Sequence, residues 1–323
     1  MAETQTTQFS PVQEAFIPNI KIIGVGGAGG NVVTQIAEED LDKVETIICN
    51  TDVKALKRNK SHKKIELGKK LTRGMGAGAR PEVGEGAAEE SLTELSEAVE
   101  GANMIFIAAG MGGGTGTGAA PTIARLAKEK QILTVGIVTI PFSFEGTKRR
   151  DSGLAGVERL REFTDTLLVI PNDKLLDAST QNTSFLEAFH MVDMVLINAI
   201  RGITLLLSGV GDINVDFADV QTIMKGMGKA VIGRGVAKGK DRALNAVEDA
   251  LHGSLMEDTD IRGAKGILVH VSGPKDTSAY EIQEAMLLIE DMADEDVELI
   301  WGATFSEAAG DEVAMTVIAT GLS

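Results

Sequence analysis

Two glycine-rich stretches and one acidic loop carry residue types whose spacing could do chemistry in this chain of 323 residues. The longer stretch is Gly110-Met111-Gly112-Gly113-Gly114-Thr115-Gly116-Thr117-Gly118-Ala119-Ala120-Pro121. It follows the apolar run Met104-Ile105-Phe106-Ile107-Ala108-Ala109 and precedes apolar residues at helical spacing over 122–129. Glycine lets a backbone turn sharply and brings its N–H groups up to an anion with no Cβ between them. At a helix N-terminus those donors and the helix dipole together favour phosphate. Thr115 and Thr117 add hydroxyls. A flexible linker does not sit between a buried strand and an amphipathic helix, so the stretch reads as a phosphate cradle. No lysine follows its glycines, which closes the G-x-x-x-x-G-K-[ST] mechanism to it. Backbone N–H groups, threonine hydroxyls and a bound Mg²⁺ would meet the phosphate charge instead.

The second stretch, Gly24-Val25-Gly26-Gly27-Ala28-Gly29-Gly30-Asn31, follows the strand Ile20–Val25 and leads into a helix reaching about Ala37. Gly24, Gly26 and Gly29 match G-x-G-x-x-G. Asp52 ends a second strand about twenty residues on, which completes a dinucleotide fingerprint. An NAD(P)-type enzyme is therefore the rival reading. Two anion-cradling turns fit a nucleoside triphosphate better than one pyrophosphate, and no hydride-transfer apparatus is evident.

Asn214, Asp216 and Asp219 form the acidic loop. An Asx turn with Asp219 near a helix start accounts for one of these residues, less well for three. Carboxylates pointing at a triphosphate of their own chain would be repelled. They also follow a long helix over about 183–207, and 25 helical residues span roughly 37 Å. The nucleotide they could reach belongs to the next subunit of a head-to-tail stack, the kind of contact that builds filaments.

The elements that must position these groups alternate. Strands at 20–25, 45–52, 64–67, 104–109, 132–140 and 166–170 are separated by helices, including one over 83–99. That pattern predicts an α/β fold, a doubly wound parallel sheet whose ligands bind at the C-terminal ends of its strands. A long central helix follows, then an α+β domain with a mixed sheet: strands at 229–232, 266–271, 297–305 and 313–319, helices at 241–251 and 278–292. The expected organisation is a disordered segment 1–17, a nucleotide domain 18–173, a connecting segment with the helix 174–208, and a C-terminal domain 209–323.

Composition narrows the class. A net charge of −16 argues against nucleic acid and anionic lipid as partners. Cys49 is the single cysteine, and four scattered histidines show no ligand spacing, so no metal site is expected from them. The N-terminus lacks a signal-peptide pattern, and no apolar run reaches the roughly 18–20 residues of a membrane span. The expectation is a soluble protein of a reducing compartment, without membrane insertion.

Taken together these motifs resemble the tubulin/FtsZ family of GTPases, on its cell-division side rather than the tubulins or plasmid-segregation relatives. The residues that carry the resemblance run from Ile20-Lys21-Ile22-Ile23-Gly24 to Thr316-Val317-Ile318-Ala319-Thr320-Gly321. Between them stand Asn50-Thr51-Asp52, Gly76-Ala77-Gly78-Ala79, Gly113-Gly114-Thr115-Gly116-Thr117-Gly118, Pro141-Phe142-Ser143-Phe144-Glu145-Gly146, Ile170-Pro171-Asn172-Asp173 and Asn214-Val215-Asp216-Phe217-Ala218-Asp219. The resemblance implies GTP and GDP as ligands, with Mg²⁺. It implies that Gly26, Gly27, Gly30 and Asn31 line the phosphate and base side. Gly113, Gly114, Thr115, Gly116, Thr117 and Gly118 would cradle phosphates, and Glu145 and Arg149 would hold the ribose region. Asn172, Phe189 and Asp193 would read guanine. Phe189 can stack on a base, and Asp193, one turn later, can accept from guanine N1 and N2; the plain reading of Phe189 is a core aromatic. Asn214, Asp216 and Asp219 would complete the neighbour's site and polarise the attacking water. The implied partners are the chain itself, as a head-to-tail homopolymer, and membrane-tethering adaptors where a tail exists. The implied place is the cytoplasm, at a mid-cell division ring.

Some positions depart from the family pattern: Ala28 for glycine, Ile140 for a basic residue, Gly253-Ser254-Leu255-Met256 for Ser-Pro-Leu-Leu, and an extra acid, Asp212, at the expected subunit contact. The sequence ends at Ser323 without the usual linker and adaptor-binding tail. A trimmed chain and a tail-less paralogue, acting mainly as a structural filament with weak hydrolysis, are both open on this reading.

Overall fold

Strands that are apolar at every position can sit only inside a sheet covered on both faces, and the described residues of this chain build one sheet of ten strands. In this computed structural model the residues described are 17–39, 44–177, 182–207, 211–253, 255–256 and 261–322. The expected disordered segment, Ile17 apart, lies outside them, as do Ser208, Gly209, Val210, Ser254 and Ser323. In order come β1 (Ile20–Val25), α1 (Gly26–Glu38), β2 (Val44–Asn50), α2 (Val53–Arg58), β3 (Lys63–Glu66), α3 (Pro81–Glu90), α4 (Leu92–Val99), β4 (Met104–Gly110) and α5 (Thr115–Glu129). Then follow β5 (Leu133–Ile140), α6 (Thr147–Arg161), β6 (Thr166–Pro171), α7 (Asn172–Asp177), α8 (Phe185–Leu207), α9 (Phe217–Met224) and β7 (Gly228–Lys238). The last are α10 (Arg242–His252), β8 (Gly266–Gly273), α11 (Ala279–Met292), β9 (Glu298–Phe305) and β10 (Glu312–Leu322).

The strand order is β3-β2-β1-β4-β5-β6-β7-β10-β8-β9. Neighbours run parallel except β10, which is antiparallel to both β7 and β8. The expected parallel half and mixed half are both present, but they are one sheet. Thr166–Leu168 of β6 pair with Gly228–Ala230 of β7, a seam of three residue pairs. The apolar stripe of α8 (Val192, Leu196, Ile200, Ile203) packs across this junction in one core cluster with Phe106, Leu168, Ile232 and Ile318. By length and mean composition α8 could cross a membrane; Asp193, Asn198 and Arg201 interrupt its sequence, and its apolar face is buried against the sheet.

Four boundaries differ from expectation, each for a packing reason. Helix α1 begins at Gly26 and α5 at Thr115, so most of both glycine stretches is helix rather than loop. A Cβ at Gly29 would overlap the Ala108 carbonyl, and one at Gly118 the Pro81 carbonyl. Helices pressed this close to neighbouring backbone need glycine despite its poor helix propensity. The helix expected over 83–99 is two, α3 and α4, broken at Ser91, whose hydroxyl accepts from Gly68 N at 3.0 Å. Strand β7 continues to Lys238, well past Ile232, because Gly233 and Gly235 lie under the backbone of α10.

Candidate functional site

The chain leaves β1 outward to β2 and β3, then returns to β4 on the other side of β1 and goes outward again. The crevice at such a reversal is where open α/β sheets bind ligands, and both glycine turns emerge there. Their helices touch: a Cβ on Gly26 would lie 3.1 Å from Gly116 N. Neither α1 nor α5 has a side-chain cap. The orphan N–H groups of two helix N-termini therefore converge on one point, an arrangement that favours phosphate.

The glycines divide by task. Gly112 (φ +90°) and Gly26 (φ +75°) are needed for their backbone conformation. Gly114, Gly116 and Gly118 are needed by packing against Arg80, Gly110 and Pro81. Gly27 and Gly113 meet nothing within 4 Å, so their faces are open to a ligand. Thr115 Oγ1 lies 2.7 Å from Thr51 Oγ1. Thr117 is buried, and its hydroxyl oxygen accepts from Gly112 N at 2.8 Å, so it braces the turn.

Beside α1 opens a cavity of about 570 Å³, within the range for small-molecule sites. Gly26, Gly27, Gly30, Asn31 and Asp193 line it, together with Thr34, Gln35, Asn50, Arg58 and Asn59. The last five were not expected. Thr34 and Gln35 could have been found one helical turn after Gly30 and Asn31; Arg58 and Asn59 arrive through the fold alone. Asn31 Nδ2 donates to Asp193 Oδ2 at 3.0 Å across 162 residues of sequence. Burial raises the Asp193 carboxyl above the ordinary range, opposed by the Asn31 hydrogen bond and by His190. Asp52, the acid of the dinucleotide reading, is occupied elsewhere. Its carboxylate caps α2, accepting from Lys54 N at 2.8 Å and Ala55 N at 3.4 Å.

Glu145, Arg149, Asn172 and Phe189 do not line this cavity but adjoin the glycine turns or α8. Glu145 pairs with Arg149 at 2.8 Å and accepts from Phe142 N at 3.0 Å. Arg149 packs over Gly112. Phe189 is half-buried and meets Phe142 edge-on, centroids 5.2 Å apart, and Phe185 at 4.9 Å. Asn172 is buried, and its Oδ1 has no hydrogen-bond partner among the described residues. Among these residues no three His, Cys, Asp or Glu gather as a cation cage. Mg²⁺ brought by nucleotide phosphates keeps several waters and asks for few protein oxygens; the Thr51 and Thr115 hydroxyls beside the turns suit that.

Asn214, Asp216 and Asp219 are not brought to the turns. Val215 N donates to Leu206 O at 3.1 Å, fixing their loop to the far end of α8. From Asp193 to Leu207 the helix rises roughly 21 Å. At the other end of α9, Met224 O accepts from Thr166, the first residue of β6, whereas the glycine turns leave the C-terminal ends of β1 and β4. Among the described residues Asn214 bonds only locally, accepting from Gly211 N and donating to Gly211 O. The helix cap position belongs to Asp216, not Asp219, yet its carboxylate makes no capping bond; both acids are exposed. The extra acid Asp212 accepts from Phe305 N at 2.7 Å and ties the loop to β9.

A model of the tubulin/FtsZ family GTPase domain matches residues 19–180, and one of the FtsZ family C-terminal domain matches 228–323. An empty FtsZ dimer from M. jannaschii superposes with TM-score 0.91 at 44% identity, over 96% of this chain and 89% of that one. The chain belongs to the tubulin/FtsZ family. Its matched C-terminal domain places it on the FtsZ side, and its ligands are those of a GTPase family, GTP and GDP. A point mutant of the same M. jannaschii FtsZ gives TM-score 0.91 at 43% identity, covering 95% and 92% of the two chains. CetZ2 from Haloferax volcanii, in a GTPγS-bound protofilament, shares the fold at TM-score 0.79 and 23% identity, over 94% and 93%.

Proposed function

We propose that this chain is a cytoplasmic GTPase that assembles head to tail and hydrolyses GTP between subunits, organising a division ring. In this reading the N–H groups of α1 and α5 and the open faces of Gly27 and Gly113 hold phosphates. Asn31 and Asp193 take the guanine edge, with Asn172 and Phe189 near it, and Glu145 and Arg149 flank the ribose. Residues 18–173 bind the nucleotide, 174–208 connect, and 209–323 carry Asn214, Asp216 and Asp219 to the neighbour. Those carboxylates orient and polarise the attacking water, and Mg²⁺ offsets charge developing on the transferred phosphoryl group. Keeping them off their own chain's phosphates avoids a repulsion that would weaken binding in the free subunit.

The observation that carries the reading is the separation. Uncapped helix N-termini meet at the strand-order reversal, and the exposed Asp216 and Asp219 carboxylates sit at the far end of α8. A site split in this way turns over only when two copies meet. Phosphate release per subunit, measured against protein concentration with GTP and Mg²⁺, is expected to be negligible below a threshold and to rise above it. Turnover per subunit independent of concentration would refute the shared site.

A further inference from the structure

Arg149 and Arg80 flank the turn that begins α5, and the chain occupies them differently. Arg149 lies over Gly112, and its guanidinium pairs with Glu145 at 2.8 Å. Arg80 comes from the other side. A Cβ on Gly114 would stand 2.9 Å from Arg80 N and 3.1 Å from Arg80 O. The backbone of Arg80 therefore abuts the cap residue of α5, beside the open face of Gly113. The Arg80 side chain is exposed, and among the described residues its guanidinium has neither an ion pair nor a hydrogen bond.

The place of Arg80 is fixed by packing. A Cβ on Gly84 would overlap Gly114 O at 2.2 Å, and one on Gly118 would overlap Pro81 O at 2.0 Å, so the first turn of α3 is pressed onto the first turn of α5. Pro81 confines the residue before it to extended backbone, and Arg80 has φ −112° and ψ 107°. Before it, Gly78 (φ +60°) and Ala79 (φ +56°) are both left-handed, a conformation that alanine rarely adopts. After that bend the side chain lies back over the loop: Arg80 Nε is 3.8 Å from where a Cβ on Gly78 would stand. The adjacent Ala77 Cβ is 2.7 Å from a Cβ on Gly114. The guanidinium is thus folded over the segment that touches the phosphate turn.

A plain surface charge explains this poorly. Arg80 occupies the cap position of α3 without a capping bond and abuts the cap of α5. Both helices present the positive ends of their dipoles there, which disfavours a cation. Nor does an acid of α3 compensate it, for Glu85 pairs with Arg159 at 2.6 Å. An unpaired cation between two helix N-termini is relieved when an anion arrives, and the turn is built for one.

We propose that Arg80 is a catalytic residue, a cation that the chain's own α3 sets on the terminal phosphate of the bound triphosphate; the inference rests on the GTPase reading above. The turn has no lysine, so its own donors are neutral N–H and hydroxyl groups. In hydrolysis the water oxygen bonds to the terminal phosphorus while the bridging P–O bond breaks and its electron pair leaves on GDP. One water proton stays on the new P–OH and the other passes to a phosphate oxygen. Negative charge spreads over the transferred oxygens, and the guanidinium fork donates to two of them without giving up a proton. Asp216 and Asp219 of the next subunit act on the water; Arg80 acts on the phosphoryl group. GDP lacks the phosphate that Arg80 meets.

Arg80→Gln and Arg80→Lys test this beside wild type. Both should melt with wild type in the absence of nucleotide, because the backbone of Arg80 does the packing. Displacement of a fluorescent nucleotide, with Mg²⁺ and below the assembly threshold, reads affinity. Arg80→Gln is expected to bind GTP about tenfold more weakly and GDP as wild type does. Arg80→Lys keeps the charge without the fork and is expected to bind GTP nearly as wild type. Phosphate release at saturating GTP, normalised to pelleted polymer, is expected to fall about a thousandfold in Arg80→Gln and to recover only in part in Arg80→Lys. Equal losses for GTP and GDP, or no loss for either, overturn the contact. Unchanged affinities with a raised assembly threshold and normal turnover above it would assign Arg80 to the subunit contact, which also overturns it. A wild type that binds GTP without releasing phosphate refutes hydrolysis and the catalytic role together, and the GTP-against-GDP comparison still decides the contact. Should wild type bind no guanine nucleotide, the GTPase reading fails by itself. Tripolyphosphate then serves as the probe: weaker binding by Arg80→Gln is expected, and equal binding refutes the contact.

Discussion

Asp193→Asn isolates the guanine contact from everything else in the site. In the structure one carboxylate oxygen already accepts from Asn31 Nδ2 at 3.0 Å, and the half-buried side chain lines the cavity wall. On the proposed function an ionised carboxylate there accepts from guanine N1–H and the 2-amino group together. Hydrogen bonds to a charged group contribute about 1.5–3 kcal/mol, and a donor left buried without a partner costs about 1–3 kcal/mol. The amide loses the charge and sets an NH₂ against a guanine donor, so the loss should be about 3 kcal/mol, or about 150-fold in affinity. Fluorescent-nucleotide titration at neutral pH measures it. Xanthosine triphosphate, which has a carbonyl in place of the 2-amino group, suits the amide and should bind the variant better than GTP does. The carboxyl pKa is raised by burial, so wild-type affinity should fall as pH drops through that raised value, while the variant stays flat. Unchanged GTP affinity, or equal losses for both nucleotides, would refute the assignment.

Replacing Asp219 with Ala should abolish phosphate release and leave GTP binding within about twofold, since the residue lies at the far end of α8. Mixed with wild type, it should depress turnover by more than its own fraction. Gly118→Ala should destabilise the fold by about 1–3 kcal/mol in thermal denaturation, because its Cβ has no room beside Pro81. Gly113→Ala meets nothing and should leave stability unchanged while weakening nucleotide binding. His270 is held down to about 4 by burial and by the Arg234 guanidinium, against about 6.5 unfolded. A lowered histidine contributes stability that is complete above pH 6.5 and lost as pH falls toward 4, about 3 kcal/mol in all. His270→Asn should flatten that part of the pH–stability curve measured by urea denaturation.

Much of this was legible because strands and phosphate turns are written locally. The run Met104–Ala109 is apolar throughout and ends in glycine, and it became β4 and its turn. The stripe from Val192 to Ile203 became α8. What was not legible depends on partners distant in sequence. Glycine inside a helix or strand reads as a breaker until the backbone pressed against it is known. That is why α1, α5 and β7 all proved longer than the pattern suggested. Pro121 suggested a boundary yet lies inside α5, where a missing N–H costs one helical bond. Asp52 stood at the spacing of a ribose ligand and serves as a helix cap. Arg58 reached the cavity wall only because β2 and α2 fold back beside α1.

Asn172 Oδ1 gives this protein a debt that it carries whenever nothing donates to it. Burying an acceptor without a donor costs about 1–3 kcal/mol, and that desolvation is complete before any ligand arrives. A ligand N–H that reaches the oxygen thus gains a hydrogen bond without first stripping water from the protein. By linkage, the same ligand raises the melting temperature in proportion to the logarithm of its concentration. On the proposed function that ligand is the nucleotide, so the chain should be at its least stable in the interval between releasing one nucleotide and taking up the next.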